Sequence, residues 1–178
     1  MTRRQPTAVD LDDLLATLTP EMATEFRKSI PPGFADQLDA AQRDSVRLIQ
    51  IAEQDPAVRY LPTSGVDEWL RLGALDTLIK WVDGTARTCL HMPDPYRPES
   101  VWSAAWRPGL IVCTHCLPLL KVSGQADKTC DCCGRITTGP DHGDGITTLT
   151  VWIGGLAYQA GACTDCFHDS ALEQGETA

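Results

Sequence analysis

The sequence predicts an α+β protein in which a helical part, residues 7–86, precedes a cysteine-bearing module of short β-hairpins, residues 87–174. Three observations carry this expectation. Apolar residues recur at helical spacing through the first half; prolines, glycines, β-branched residues and tryptophans replace that periodicity further on; and all eight cysteines lie between Cys89 and Cys166. With 178 residues, 43% hydrophobic and 22% charged, the chain has apolar material for one mixed domain or two small ones, unlike a disordered tail.

The helical elements follow in order. Thr7-Ala8-Val9-Asp10 reads as a capping box before Leu11, Leu14, Leu15 and Leu18, which share one helix face. A short helix follows to about Lys28, capped by Thr19, with Pro20 at its first position and Met22 and Phe26 as its stripe. Pro31-Pro32-Gly33 breaks the chain. From Phe34 to Gln54, the residues Phe34, Leu38, Ala41, Ser45, Leu48 and Ala52 alternate steps of four and three and form a seam. That seam is short, so it predicts an intramolecular helical hairpin, with a dimeric coiled coil as the alternative. Asp55-Pro56 ends it. Ser64-Gly65-Val66-Asp67 offers a second capping box for a helix from about Val66 to Val82. Its residues Val66, Trp69, Leu70, Leu75, Leu78, Ile79, Trp81 and Val82 are expected in a core between the two halves. Asp83-Gly84 stops this helix.

In the second half, strands are expected at Val101 to Trp106, Leu110 to Cys113, Thr147 to Ile153 and Leu156 to Gln159, with Gly154-Gly155 as a tight turn. An internal repeat is visible. Val101-Trp102 precedes Cys113-Thr-His-Cys116, and Val151-Trp152 precedes Cys163-Thr-Asp-Cys166, with one offset of fifty residues for both features.

Cys-x-x-Cys places two sulfurs on one edge of a zinc tetrahedron, and two such turns close a structural site. Three are plain: Cys113/Cys116, Cys130/Cys133 and Cys163/Cys166. The fourth pair is Cys89-x-His91. Pairing by the repeat gives one site from Cys89, His91, Cys113 and Cys116 and a second from Cys130, Cys133, Cys163 and Cys166, hence two zinc ions per chain. A competing arrangement joins Cys113, Cys116, Cys130 and Cys133, leaving Cys163 and Cys166 to Cys89 and His91. Gly134 after the second knuckle cysteine accommodates positive φ, which favours Cys130 and Cys133 over Cys132 as ligands. Cys132 is then a spare thiol, with a redox-sensing or alternate-ligand role as its other reading. His115 and His168 read as surface groups or neighbours of the ligands.

The knuckle Cys130-Asp-Cys-Cys133-Gly-Arg135, a hairpin, and Cys163-Thr-Asp-Cys166 together resemble the treble-clef and zinc-ribbon proteins. The resemblance implies two tandem zinc units with short hairpins behind a bundle-like helical part, and it implies no single function. Asp141-His142 is similar to the histidine motif of treble-clef HNH nucleases, but it precedes the hairpin, and no second histidine or asparagine follows at that family's positions. A loop is the preferred reading.

The charge of −9 divides as nine basic and fourteen acidic residues in 1–86 and six and ten in 87–178, so neither half is a basic module. Zinc thiolates add further negative charge, which disfavours phosphate binding. Arg87, Arg97, Arg107 and Arg135 are the cations available for it in the module. No secretory leader or apolar membrane-spanning stretch is legible, and the expected address is the cytoplasm, where clustered cysteines argue for metal over disulfides. Two four-ligand sites leave no open position for a catalytic water. The expectation is therefore a non-enzymatic zinc protein presenting a surface, including Trp102, Trp106 or Trp152 if exposed, to a protein partner. A nucleic-acid-binding regulator is the second reading and an HNH-like nuclease the third; the sequence is silent on oligomeric state.

Overall fold

The computed structural model describes residues 20–29, 31–52, 54, 66–97, 99–139, 143–153 and 155–168. Expectations for the Leu11–Leu18 helix, Ser64, Gly65 and the Asp141-His142 pair lie outside these residues. Helices and strands are mixed in the order α1 (Pro20–Ser29), α2 (Pro32–Ala52), α3 (Glu68–Val82), β1 (Arg87–Thr88), β2 (Val101–Ala104), β3 (Leu110–Cys113), β4 (Ile146–Ile153), β5 (Leu156–Cys163) and α4 (Thr164–His168). A 3-10 helix, Thr114–Leu120, follows β3 directly.

The break between α1 and α2 is shorter than the sequence suggests, because Pro32 opens α2 at the position where a missing N–H costs nothing. The seam of α2 does face inward at Ala41 and Ser45, which are 5% and 4% exposed. What it meets is the entry to β2: the Ser45 and Ser100 hydroxyls lie 3.2 Å apart, and Ser100 Oγ donates to the Ala41 carbonyl. α3 begins two residues later than expected, with Asp67 at its N-cap making no side-chain cap bond. Its C-terminus closes as Gly84, at φ 75°, donates to the Trp81 carbonyl.

The strands form one five-stranded sheet, ordered β1-β3-β2-β5-β4. β2–β3 and β4–β5 are antiparallel hairpins, the latter closing through two residues between Ile153 and Leu156. The hairpins are fused side by side, because β2 pairs in parallel with β5 from Val101↔Leu156 to Ala104↔Gln159. β1 pairs in parallel with β3, a two-residue strand with no signal in the sequence.

One face of the sheet is covered by α3. Leu70 and Ala74 pack on Val151, Tyr158 and Ala160, and Trp81 packs on Val101, Ile111 and Leu156. The opposite face holds Ala104 and Val112 beneath Leu117 and Leu120 of the 3-10 helix, with Trp102 and Trp106 alongside. Of the apolar residues expected inward on α3, Ile79 and Val82 are exposed, because a helix against a single sheet buries one stripe and leaves the other to solvent. α3 approaches the sheet closely at Gly73, where a Cβ would stand 2.5 Å from Tyr158 Oη.

The fifty-residue repeat is real at the cysteines and not at the tryptophans. Cys113 and Cys163 each end a strand and open a helical turn. Val101 pairs with Cys113, whereas Val151 pairs with Tyr158 and Cys163 with Ile146, so the two Val-Trp dipeptides occupy different registers.

Candidate metal centres

The first centre draws on three elements. Through the β1–β3 ladder, Cys89 N–H donates to the Ile111 carbonyl at 3.2 Å, which sets Cys89 beside Cys113 at the end of β3. Cys116 follows in the first turn of the 3-10 helix. His91 is carried on a tight turn in which Met92, at φ 51°, donates its N–H to the Cys89 carbonyl. His91 Nδ1 lies 3.2 Å from Cys116 Sγ, 3.4 Å from Cys113 Sγ and 4.0 Å from Cys89 Sγ, and the Cys89 and Cys113 sulfurs are 3.9 Å apart. His115 stands edge-on to His91, ring centroids 5.7 Å apart. Trp81 of α3 donates Nε1–H to the Pro93 carbonyl, tying the His91 loop to the helix.

The second centre forms where the knuckle takes over from β2 as the neighbour of β5. β2 ends at Ala104, opposite Gln159. Beyond that point Asp131 N–H donates to the Gly161 carbonyl at 2.8 Å, Gly161 N–H donates to Asp131 Oδ2 at 2.6 Å, and Cys163 N–H points at Cys130 Sγ, 3.3 Å away. These bonds satisfy backbone groups that the sheet otherwise leaves buried and unpaired. The knuckle closes as Gly134, at φ 74°, donates to the Cys130 carbonyl and Cys130 donates to the Arg135 carbonyl. Cys133 and Cys163 sulfurs lie 3.9 Å apart, and Cys166 sits in α4. Arg135 reaches back with 2.6 and 2.7 Å bonds to Asp165, between the last two cysteines, and to Asp144.

In each centre the four candidate ligand atoms lie within 4.8 Å of one another. Zinc–sulfur bonds of about 2.3 Å and zinc–nitrogen bonds of about 2.0–2.1 Å set tetrahedral edges of roughly 3.5–3.8 Å, so both groups have the size and donor chemistry for one ion. The grouping is Cys89, His91, Cys113 and Cys116, and Cys130, Cys133, Cys163 and Cys166; the arrangement joining Cys113 and Cys116 to Cys130 and Cys133 does not occur. None of the eight cysteines is in a disulfide.

Electrostatics favour a cation at both centres. Burial opposes ionisation of Cys89, but backbone N–H groups at Cys113 and His91, helped by the His91 and Cys113 side chains, bring it down to about 7. Cys130 is likewise brought to about 7, against burial, by the amides of Cys133, Cys163 and Cys132. Burial and contact with neighbouring sulfurs push Cys116 up to about 11 and raise Cys166 further. Each centre thus has one sulfur whose thiolate the backbone stabilises and another that gains from a divalent ion relieving the crowding of sulfurs.

Cys132 is exposed and lies outside the four-sulfur group. Asp131 and Arg135 carry structural roles that sequence reasoning missed. Both lie inside or beside the knuckle motif, but only the fold brings Gly161, Asp144 and Asp165 to them. Comparison with known proteins finds no matching family model, no similar curated protein and no similar solved structure. Among the described residues, no helix is long and apolar enough to cross a membrane.

Proposed function

We propose that this chain is a non-enzymatic zinc protein whose two structural ions fix a surface for a protein partner. The observation that carries the reading is the convergence of two complete four-ligand sets, each supplied wholly by the chain. Four protein ligands fill a zinc tetrahedron and leave no position for a reacting water. Site two follows the treble-clef order of knuckle, hairpin (β4–β5) and helix (α4), and site one runs from Cys89 and His91 through β2–β3 to the 3-10 helix in the same sense.

Two features favour a protein partner over nucleic acid. Leu90 and Met92, flanking His91, and nearby Tyr96 are 99%, 74% and 69% exposed; exposed apolar groups of this size mark interaction surfaces. Arg135, one of the module's arginines, is held between two carboxylates and is neutralised as a phosphate ligand. Metal analysis of protein purified without chelator is expected to give two zinc ions per chain, and one or none overturns the two-site reading. Cross-linking in the host followed by mass spectrometry, with Leu90→Asp as the comparison, tests the partner surface. Submicromolar affinity for random duplex DNA at physiological salt transfers the proposal to a nucleic-acid-binding regulator.

A further inference from the structure

The two edges of the sheet differ. β1 closes one edge with two residues, whereas β4 closes the other with eight, Ile146–Ile153. The β4–β5 register runs one to one from Ile146↔Cys163 to Ile153↔Leu156, so β4 has no bulge. Its sequence, ITTLTVWI, holds no charge and no proline. Short length, charges, prolines and bulges keep edge strands from pairing with other chains, and β4 has none of these protections.

The bonds of the neighbouring strand show which backbone groups β4 leaves free. The Gly155 and Gln159 carbonyls accept from Val101 and Ala105 on the β2 side, and Gly161 exchanges bonds with Asp131. These alternate residues face away from β4. Leu156, Tyr158, Ala160 and Ala162 therefore face it, opposite Ile153, Val151, Leu149 and Thr147. By the same alternation, the N–H and C=O groups of Thr148, Thr150 and Trp152 turn to the open edge. Among the described residues no backbone partner reaches them. The side chains are open as well: Thr147, Thr148 and Thr150 are exposed, and Leu149 and Ile153, which pack on the core beneath α3, are only half-buried.

We propose that β4 is an interface between two copies of this chain, each pairing its β4 antiparallel to the other about a two-fold axis and joining two five-stranded sheets into one. The occupant is a second copy because the strand is complementary to itself. Outward backbone groups must meet outward groups, which places the axis at a residue and not between two residues. With the axis at Leu149, that residue faces its copy, Thr148 faces Thr150, Thr147 faces Val151 and Ile146 faces Trp152. Threonine pairs and pairs of an aromatic with a β-branched residue are among the favourable cross-strand combinations. Leu149 and Val151 of both copies then lie on the α3 side and continue one apolar layer. Charge makes the same choice. Two chains of net charge −9 repel over most of their surface, and β4 is a segment along which they meet without like charges opposed. This interface does not depend on the zinc reading and is separate from the Leu90, Met92 and Tyr96 surface.

The experiment uses the full chain as purified. Sedimentation over a wide concentration range is expected to show the mass rising from one chain to two. Over the same range, amide hydrogen exchange at Thr148, Thr150 and Trp152 is expected to slow with concentration, while Thr147, Leu149, Val151 and Ile153 stay protected throughout. Thr148→Pro removes an outward N–H and leaves every β5 bond in place, and Thr150→Lys sets a charge on the edge; both are expected to remain single chains with the helix signal of wild type. A chain that stays single at every concentration overturns the proposal, as does a dimer that survives both substitutions. Protection of the three outward amides that is the same at every concentration assigns the edge to another occupant and also overturns it. If a variant loses its helix signal, the exchange pattern of the wild type decides by itself.

Discussion

Trp102 and Trp152 meet edge to face, ring centroids 5.2 Å apart with planes at 73°, across Ala157 of the strand between them. Trp102 pairs with Ala157 on one side and Trp152 pairs with Ala157 on the other, so all three side chains stand in one row on one face of the sheet. A small central residue lets two large rings close over it. The contact also joins the two hairpins, because Trp102 belongs to β2 and Trp152 to β4. Aromatic pairs of this geometry are worth about 0.5–1.5 kcal/mol beyond the area they bury. A double-mutant cycle with Trp102→Leu and Trp152→Leu, read by urea unfolding of the zinc-loaded protein, is expected to give a coupling of that size. Additive single effects would show that the rings touch without mutual stabilisation.

The Asp131 carboxylate occupies the position of a missing strand beside Gly161. Asp131→Ala removes the acceptor and is expected to cost about 1–3 kcal/mol, the range for an orphaned buried donor. Because the same bonds hold Cys130 against Cys163, release of one zinc ion to a chelator is expected to accelerate. Asp131→Asn keeps an acceptor oxygen, so its effect is expected to be smaller. Equal release rates for wild type and Asp131→Ala would remove Asp131 from the support of site two.

Gly73 sits so close to Tyr158 that a Cβ at this position would meet Oη at 2.5 Å and Cζ at 2.9 Å. In an exposed helix Gly→Ala gains about 1 kcal/mol, whereas overpacking a filled core costs about 1–3 kcal/mol. The ring is buried and pinned between α3 and the sheet, so the clash is expected to win and Gly73→Ala to destabilise. In a Tyr158→Phe background the nearest atom is gone, and the penalty is expected to shrink. A Gly73→Ala protein more stable than wild type would mean that the helix slides freely on the sheet.

Burial pushes the Tyr158 hydroxyl up to about 12 from its usual value of 10, with Asp131 and Asp76 adding to the shift. For a group whose folded value is raised, the stabilisation is complete below pH ~10 and is lost as pH rises through about 12, because the unfolded chain ionises first. Tyr158→Phe is expected to flatten that part of the alkaline unfolding curve by about 2–3 kcal/mol. Parallel curves for the two proteins would show that the hydroxyl ionises as readily folded as unfolded.

α3 lies on the sheet through Leu70, Ala74 and Trp81, and Trp81 is bonded to the loop that carries His91. Stripping the metal is therefore expected to lower the circular dichroism helix signal together with the zinc, in one step. Proteolysis that cuts only between Cys89 and Cys166 while the helix signal stays whole would establish a helical part that folds by itself.

Whatever depends on neighbours in the chain was legible in the residues. The start of α1 at Pro20 follows from proline's fixed φ and missing N–H, the β4–β5 hairpin from its paired glycines and alternating flanks, and the positive φ of Gly134 from the closing turn of a knuckle. The ligand types and the Cys-x-x-Cys pairs were legible too, because two donors on one turn need only local spacing. Tertiary structure decided which pairs meet. Site one requires a two-residue strand, Arg87–Thr88, whose only warrant is backbone hydrogen bonding to β3, and site two requires Asp131 to replace β2 beside Gly161. The parallel joining of β2 to β5 is equally unmarked, since it depends on two distant segments finding one register and on Ala157 leaving room for Trp102 and Trp152. Backbone groups are the same at every residue, so the sequence records where a strand can form and the packed fold selects its neighbour.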